Sequence, residues 1–158
     1  MRKRIIQHSQ PDVSLLGEDD WLKVEDLAEV EVTSEDTAHL IESALLLNHG
    51  TGWRAAEPGK QTVRLIFARP QKVRRIRLKF LEFATERTQE YVLRWSPNAG
   101  RSLQEIVRQQ WNFSPQGATS ETEDHNISLS EVTILELSII PDLSGRTAFA
   151  SIAQLRLA

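Results

Sequence analysis

The stretch from Gly52 to Phe80 constrains the fold of this chain more than any other part of the sequence. A loop around Trp53 leads into Thr62–Phe67, where apolar and polar residues alternate, and a second alternating segment follows Pro70. Alternation with a period of two is typical of β-strands that bury one face. The stretch therefore predicts two strands joined by a proline turn. It contains no recognisable catalytic group.

The same alternation recurs along the chain and predicts an all-β sandwich of about seven or eight short strands. The predicted strands are Leu27–Thr33, Thr62–Phe67, Val73–Phe80, Tyr91–Ser96, Glu105–Phe113, Thr133–Ile140 and Ala150–Ala158. The polar stretch Gln116–Asn126 predicts the longest loop. One segment, Ala38–Leu47, carries apolar residues at helical spacing after a possible cap at Thr33–Asp36, and it predicts a short helix or irregular turn.

Length and composition indicate a single domain over residues 1–158. The first 26 residues read as an extended or partly ordered segment. A net charge of −3 gives no general attraction to nucleic acid or to an anionic membrane, so neither is an expected partner. The chain has no cysteine, which excludes disulfides and thiolate metal sites. Only Ile5 and Ile6 follow the basic start, too few for a secretory signal, and we expect a cytoplasmic protein.

Five short motifs, in this order, are similar to those of one known family. They are Ile41-Glu-Ser-Ala-Leu45, Thr51-Gly-Trp53, Pro70-Gln-Lys-Val-Arg-Arg-Ile-Arg-Leu78, Ser96-Pro-Asn-Ala-Gly100 and Ser151-Ile-Ala-Gln-Leu-Arg-Leu157. Together they resemble the discoidin family, also called coagulation factor 5/8 type C or galactose-binding-like domains. The resemblance spans roughly Val30 to Leu157.

The resemblance implies an antiparallel jelly-roll β-sandwich of about eight strands. Many members of this family bind sugars through loops at one end, and others bind lipids or proteins. Some carry a structural calcium ion near the motif matched by Ile41–Leu45, but Leu46 and Leu47 stand where an acidic residue is common. Because calcium needs several oxygen ligands, that site is in doubt. We expect no other cofactor.

Sugar binding requires an aromatic platform and planar polar groups that reach the sugar hydroxyls. The sequence offers four candidate ligand residues in or near predicted loops: His49, Arg54, Arg87 and Trp111. The resemblance supports Arg87, because sugar-binding relatives often place an arginine in that loop. Its structural alternative is a salt bridge to Glu82 or Glu86. Trp111 could equally lie in the core.

Other polar clusters have ordinary structural interpretations. The histidines lack the spacing of a helical zinc site and read as surface residues: His8, His39, His49 and His125. The acids Glu121, Glu123 and Asp124 read as solvated loop residues. The row Arg75, Arg77 and Lys79 reads as a solvated strand face that could also meet phosphate or an acidic partner. Of the tryptophans, Trp53 and Trp95 are expected in the core, whereas Trp21 could lie on the surface.

These observations favour a non-catalytic glycan-binding module. The alternative is an intracellular protein-interaction or scaffold domain of the same fold, consistent with the missing cysteines. An enzyme is not expected, because no nucleophile motif is present and the fold places function in its loops.

Overall fold

The computed structural model describes residues 20–47 and 50–158. Antiparallel strands dominate, as the sequence predicts. The elements are α1 (Val24–Leu27), β1 (Ala28–Val32), α2 (Glu42–Leu45), β2 (Trp53–Arg54), β3 (Gln61–Leu81), β4 (Arg87–Ser96), β5 (Gln104–Phe113), β6 (Ser120–Ile140), β7 (Ser151–Ile152) and β8 (Gln154–Leu157).

Two strands of 21 residues, β3 and β6, run through both layers of the sandwich. The first half of β3 pairs with the second half of β6, for example at Leu65↔Leu135. Together with β1, β4 and β5 they form a five-stranded layer in the order β1-β3-β6-β4-β5. The second half of β3 lies between β6 and β8, and this forms a three-stranded layer. Register shifts between Ile66 and Arg75 mark the bend from one layer to the other.

The core lies between these layers and is built by the inward residues of each alternating strand. Its largest fully buried side chains include Trp53, Tyr91, Phe80, Phe113, Leu65, Ile76, Leu78, Leu93, Leu135, Leu137 and Ile139. The prediction that Trp53 belongs to the core is confirmed by its exposed fraction of 1%. Trp95 packs against the core and remains partly exposed.

Two boundary predictions are wrong. Arg69-Pro70 does not end a strand, because the residues on both sides of it belong to β3 and the bend is accommodated by register shifts. Gln116–Asn126 is not mainly a loop, since Ser120 to Asn126 pair with the second half of β3. Backbone pairing across the sheet overrides the polar composition of this segment.

The helical segments are short. The predicted helix or turn within Ala38–Leu47 contains α2, which has four residues. No helix in residues 20–47 or 50–158 has the length and apolar character needed to cross a membrane.

The start of the described chain lies against the three-stranded layer. This corrects the expectations that Trp21 could lie on the surface and that Arg75 belongs to a solvated strand face. Trp21 is buried rather than at the surface, and the backbone N–H of Leu22 donates to the Leu157 carbonyl at 2.7 Å. The guanidinium groups of Arg75 and Arg77 lie 4.9 and 5.3 Å from the Trp21 ring centre. Asp124, which belongs to β6 and not to a loop, pairs with both arginines.

Candidate functional site

Five loops meet at one end of the sandwich, comprising residues 33–40, 50–60, 82–86, 114–119 and 141–150. We call this the loop end. Three backbone hydrogen bonds connect loops to one another: Asp36 N–H to Arg54 O, Gly59 N–H to Ala148 O and Glu82 N–H to Thr119 O, at 2.8 to 3.0 Å. A fourth, from Leu143 N–H to Thr88 O at 2.8 Å, connects the 141–150 loop to β4. Loops tied to a rigid sandwich in this way are suited to hold side chains in fixed positions.

The loop end is built on the buried indole of Trp53. The indole Nε1–H donates to the Ser34 carbonyl at 3.1 Å, and the backbone of Trp53 pairs with Ile152 in β7. The hydroxyl of Ser34 accepts hydrogen bonds from the backbone N–H groups of Ala56 and Glu57. The next residue along β2, Arg54, consequently projects from a fixed strand into solvent.

Arg54 lies between two clefts at the loop end. The first, of about 190 Å³, is lined by His39, Thr51, Arg54 and Phe83 above the buried indole; we call it the Arg54 cleft. Phe83 is 67% exposed, which is unusual for a phenylalanine and leaves its ring free for contact. The second cleft, of about 390 Å³, includes Arg54 and Phe149.

The polar groups of the Arg54 cleft are held by their neighbours. The guanidinium carbon of Arg54 lies 5.1 Å from the Phe149 ring centre, a cation–π distance, and within the described part of the chain no side chain accepts a hydrogen bond from this guanidinium. His39 Nδ1 is 3.4 Å from the Asp36 carboxylate. The N–H of Ala38 and the adjacent His39 lower the pKa of Asp36, which stays charged beside the histidine. Arg54 and His39 thus offer donors toward one space.

The four predicted ligand residues do not all come together. Arg54 lies in the cleft, and His49 lies outside the described residues. Trp111 is 36% exposed and lines a separate cleft with Gln110 and Asn112 on β5.

Arg87 is placed as a structural residue, the alternative already considered for it. Its side chain is 1% exposed and donates to Glu82 at 2.7 Å and to the Pro141 carbonyl at 2.9 Å. The guanidinium carbon also lies 4.7 Å from the Phe113 ring centre. A ligand at the loop end cannot reach this guanidinium without displacing those partners. Arg87 connects the 82–86 loop to the 141–150 loop.

Sequence reasoning missed three members of the site: Phe83, Phe149 and the role of His39. Phe83 had a usable signal, because an isolated large apolar residue in the polar stretch Glu82–Glu86 has no strand partner to bury it. His39 and Phe149 carried no such signal. They lie 110 residues apart and meet on either side of Arg54 only through the fold.

The residues near α2 do not fit a structural calcium ion. The guanidinium of Arg156 donates to the carbonyls of Ala44 at 2.7 Å, Leu45 at 3.4 Å and Leu46 at 3.3 Å. Those oxygens face a fixed cation already, and Leu46 and Leu47 supply no carboxylate. In the described ranges no group of three acidic or histidine side chains could hold a metal ion.

The acids assigned to a loop include one that is buried. Glu121 in β6 is 3% exposed and points into the sandwich beside Phe80, its strand partner. Burial and the neighbouring Glu123 raise the pKa of Glu121 to about 8. We infer that the folded protein holds a proton on this pair at neutral pH. His125 on the same strand accepts or donates at 2.7 Å to the Tyr91 hydroxyl.

This buried acid makes stability depend on pH. Because the pKa is raised in the folded state, unfolding releases a proton between about pH 4.5 and 8. As the pH rises through this range, the free energy of unfolding falls by up to about 1.4 kcal/mol per pH unit. Urea denaturation at pH 5, 6, 7 and 8 measures the slope. Glu121→Gln should flatten it, whereas the exposed control Glu86→Gln should not. Equal slopes in wild type and Glu121→Gln would contradict a protonated Glu121.

Comparisons with known proteins identify the fold. No protein-family model matches the chain, and no curated protein is similar to it. Among solved structures it is similar to the family 32 carbohydrate-binding module of NanJ from Clostridium perfringens in complex with galactose, at 17% identity and a TM-score of 0.63 over 87% of this chain and 96% of that one. A second family 32 module from Clostridium perfringens, in complex with GalNAc-β-1,3-galactose, has 20% identity and a TM-score of 0.61 over 87% and 98%.

A third similar structure is the family 32 module of AlyQ in complex with 4,5-unsaturated mannuronic acid, at 16% identity and a TM-score of 0.62 over 84% of this chain and 95% of that one. Identities this low show the fold alone. The chain has the galactose-binding-like, discoidin-type β-sandwich, and its structural neighbours are mainly carbohydrate-binding modules.

Proposed function

We propose that this chain is a non-catalytic module that binds a sugar ring in the Arg54 cleft. The exposed ring of Phe83 supplies a flat apolar surface for the C–H face of a pyranose. Arg54 and His39 supply donors for its hydroxyls. Similarity to modules crystallised with galactose and with a galactose-containing disaccharide supports a neutral sugar as the first ligand to test.

The convergence of Phe83, Arg54 and His39 carries this proposal. An aromatic surface that is two-thirds exposed stands beside an arginine whose guanidinium is oriented by Phe149 and has no side-chain acceptor in the described residues. Binding sites combine apolar surface with a few fixed polar groups in this way. The Arg54 cleft is small and open, which suits one sugar ring at the end of a glycan and not an enclosed substrate.

Titration with methyl β-galactoside, followed by calorimetry or by NMR shifts, tests the proposal. Phe83→Ala should weaken binding about fivefold or more, because stacking on an aromatic ring is worth on the order of 1–3 kcal/mol. Arg54→Gln should weaken it by a similar factor by removing a charged donor.

Matched controls are available for both variants. Leu143→Ala removes another exposed apolar side chain of the loop end, outside the Arg54 cleft, and Arg101→Gln removes an exposed arginine in the hairpin between β4 and β5. Both should bind as wild type does. No binding at millimolar concentrations of galactoside, mannoside, glucoside and fucoside would overturn the proposal.

A protein-interaction role is the second candidate, and one observation favours it. Leu40, Phe83 and Leu143 expose apolar side chains at the loop end, and such residues are enriched in partner contacts. A protein captured by the wild type and lost with Leu143→Ala, while sugar binding is absent, would favour this role over the glycan role.

A further inference from the structure

A further cleft lies on the outer face of the five-stranded layer and begins beside the loop end, where Thr33 and Lys60 line it. Its volume is about 780 Å³, twice that of the larger loop-end cleft. This volume falls in the range of known ligand sites. Its charged lining residues are Glu31, Lys60, Arg64, Arg94 and Glu136. We call it the sheet groove.

Four of the five charged side chains of the sheet groove form one row across four neighbouring strands, and Lys60 lies outside this row. Arg94 on β4 is opposite Glu136 on β6, Glu136 is opposite Arg64 on β3, and Arg64 is opposite Glu31 on β1. With strands about 4.8 Å apart, the row is about 14 Å long. It therefore exceeds the width of a single sugar ring.

Cations outnumber acids in the sheet groove, because Lys60, Arg64 and Arg94 stand against Glu31 and Glu136. The side chain of Glu136 is only 7% exposed and is neutralised by Arg64, whose Nη2 lies 2.6 Å from its Oε2. Arg94 makes only a long contact to Glu136, at 3.5 Å, and in residues 20–47 and 50–158 no acidic side chain pairs with Lys60. Arg94 and Lys60 thus keep N–H donors available to a ligand, beside a Glu136 whose charge Arg64 neutralises.

Glu31 occupies the position that a ligand carboxylate would take. Its side chain is 60% exposed on the edge strand β1, and its Oε1 contacts Arg64 Nη1 at 3.4 Å. Exposed pairs of this kind contribute little and exchange readily. A carboxylate from outside can replace Glu31 on the free edge of the Arg64 guanidinium at small cost.

The rest of the lining selects a polar ligand. The hydroxyls of Thr62 and Ser138, 3.2 Å apart, lie beside the charged row, and none of the described residues that line the groove is aromatic. A nucleic acid strand would need stacking surfaces that are absent from this lining. A peptide would need apolar pockets for its side chains. Among the described residues that line the groove, Val30 and Val32 alone are apolar, which is too few to form such pockets.

We propose that the sheet groove is a second binding site, separate from the Arg54 cleft, for an oligosaccharide that carries carboxylate groups. This inference rests on the proposed glycan role. One uronate carboxylate pairs with Arg64 in place of Glu31, and the other carboxylates meet Arg94 on β4 and Lys60 at the start of β3, one at each cation. The hydroxyls of Thr62 and Ser138 bond to the sugar hydroxyls between them.

Calorimetric titration with trigalacturonate at low salt, compared with neutral trigalactose, tests this inference. The double variant Lys60→Gln/Arg94→Gln should weaken trigalacturonate binding at least tenfold. Glu31→Gln should strengthen it by about threefold, because a competing carboxylate is removed. Arg101→Gln is the matched control for lost positive charge. Higher salt should weaken the uronate and leave the neutral sugar unchanged.

The results separate this inference from the proposed function. If Phe83→Ala abolishes trigalacturonate binding and Lys60→Gln/Arg94→Gln does not, the uronate binds in the Arg54 cleft and the inference is overturned. Equal binding of a poly-glutamate peptide also overturns it, because the groove then recognises charge without sugar. If galactoside binds but trigalacturonate does not, the inference about the sheet groove is overturned and the proposed sugar site in the Arg54 cleft stands. If trigalacturonate binding depends on Lys60 and Arg94 while no neutral sugar binds, the proposed site in the Arg54 cleft is overturned and the sheet groove stands.

Discussion

Replacing Arg156 with methionine should lower the free energy of unfolding by about 3 kcal/mol or more. Arg156 is 3% exposed, and its guanidinium donates to the backbone carbonyls of Ala44, Leu45 and Leu46 at the end of α2. Methionine retains much of the apolar stem but leaves these oxygens without their charged donor. Each buried acceptor left unsatisfied costs about 1–3 kcal/mol. Urea denaturation at pH 7 measures the loss.

Arg74→Met is the matched control, because Arg74 is an exposed arginine in β3 on the same layer. Its replacement should change stability by less than about 0.5 kcal/mol. A loss below about 1 kcal/mol in Arg156→Met would show that water replaces the guanidinium without difficulty. The carbonyls of α2 would then not depend on a buried cation.

The same geometry predicts the response to calcium. We propose that the wild type folds without a metal ion at α2, because the guanidinium of Arg156 already faces the carbonyl oxygens that a cation would need. Addition of millimolar calcium or of a chelator should leave the wild-type melting temperature unchanged. A chelator-induced fall of several degrees would contradict this proposal.

Replacing Gly52 with alanine should cost about 2–5 kcal/mol of stability. Gly52 has a φ of +76°, and a Cβ placed there would lie 2.5 Å from the carbonyl oxygen of Ile152 and 2.8 Å from the Cα of Ala153. Both atoms belong to the backbone, so neither can rotate away. The left-handed conformation costs about 1–2 kcal/mol, and the clash adds about 1–3 kcal/mol.

Gly59→Ala separates the two contributions. Gly59 has a φ of +86°, but a Cβ there meets no atom within 4 Å. Its replacement should cost only the conformational part, about 1–2 kcal/mol. Equal losses in the two variants would show that β2 and β7 separate freely. In Gly52→Ala we also expect weaker galactoside binding, since the clash displaces the strand that carries Arg54.

The fold could be predicted because its determinants are local. Alternating residues such as Val63, Leu65 and Phe67 bury one face in any strand. The limits of β3 and β6 could not be predicted. Whether the chain bends through Pro70 or stops there depends on a partner strand more than 60 residues away.

Two arginines show the same division at the site. Arg54 and Arg87 were equal candidates in the sequence, because each stands in or near a polar loop. The structure places Arg54 over Phe149 in solvent and buries Arg87 between Glu82 and Pro141. The local sequence offers Glu82 as a partner for Arg87, but the Pro141 carbonyl and the rings of Phe113 and Phe149, which complete the two environments, come from distant segments.

By itself the sequence determined the class of this protein: a cysteine-free, all-β sandwich with a buried indole at the base of one group of loops. Only the tertiary structure decided which side chains line the Arg54 cleft, because Phe83, Arg54 and His39 come from three separate segments. The alternation of apolar and polar residues is a property of each strand's own sequence and can be recognised without knowing its partner strands. A binding surface exists only where distant segments meet.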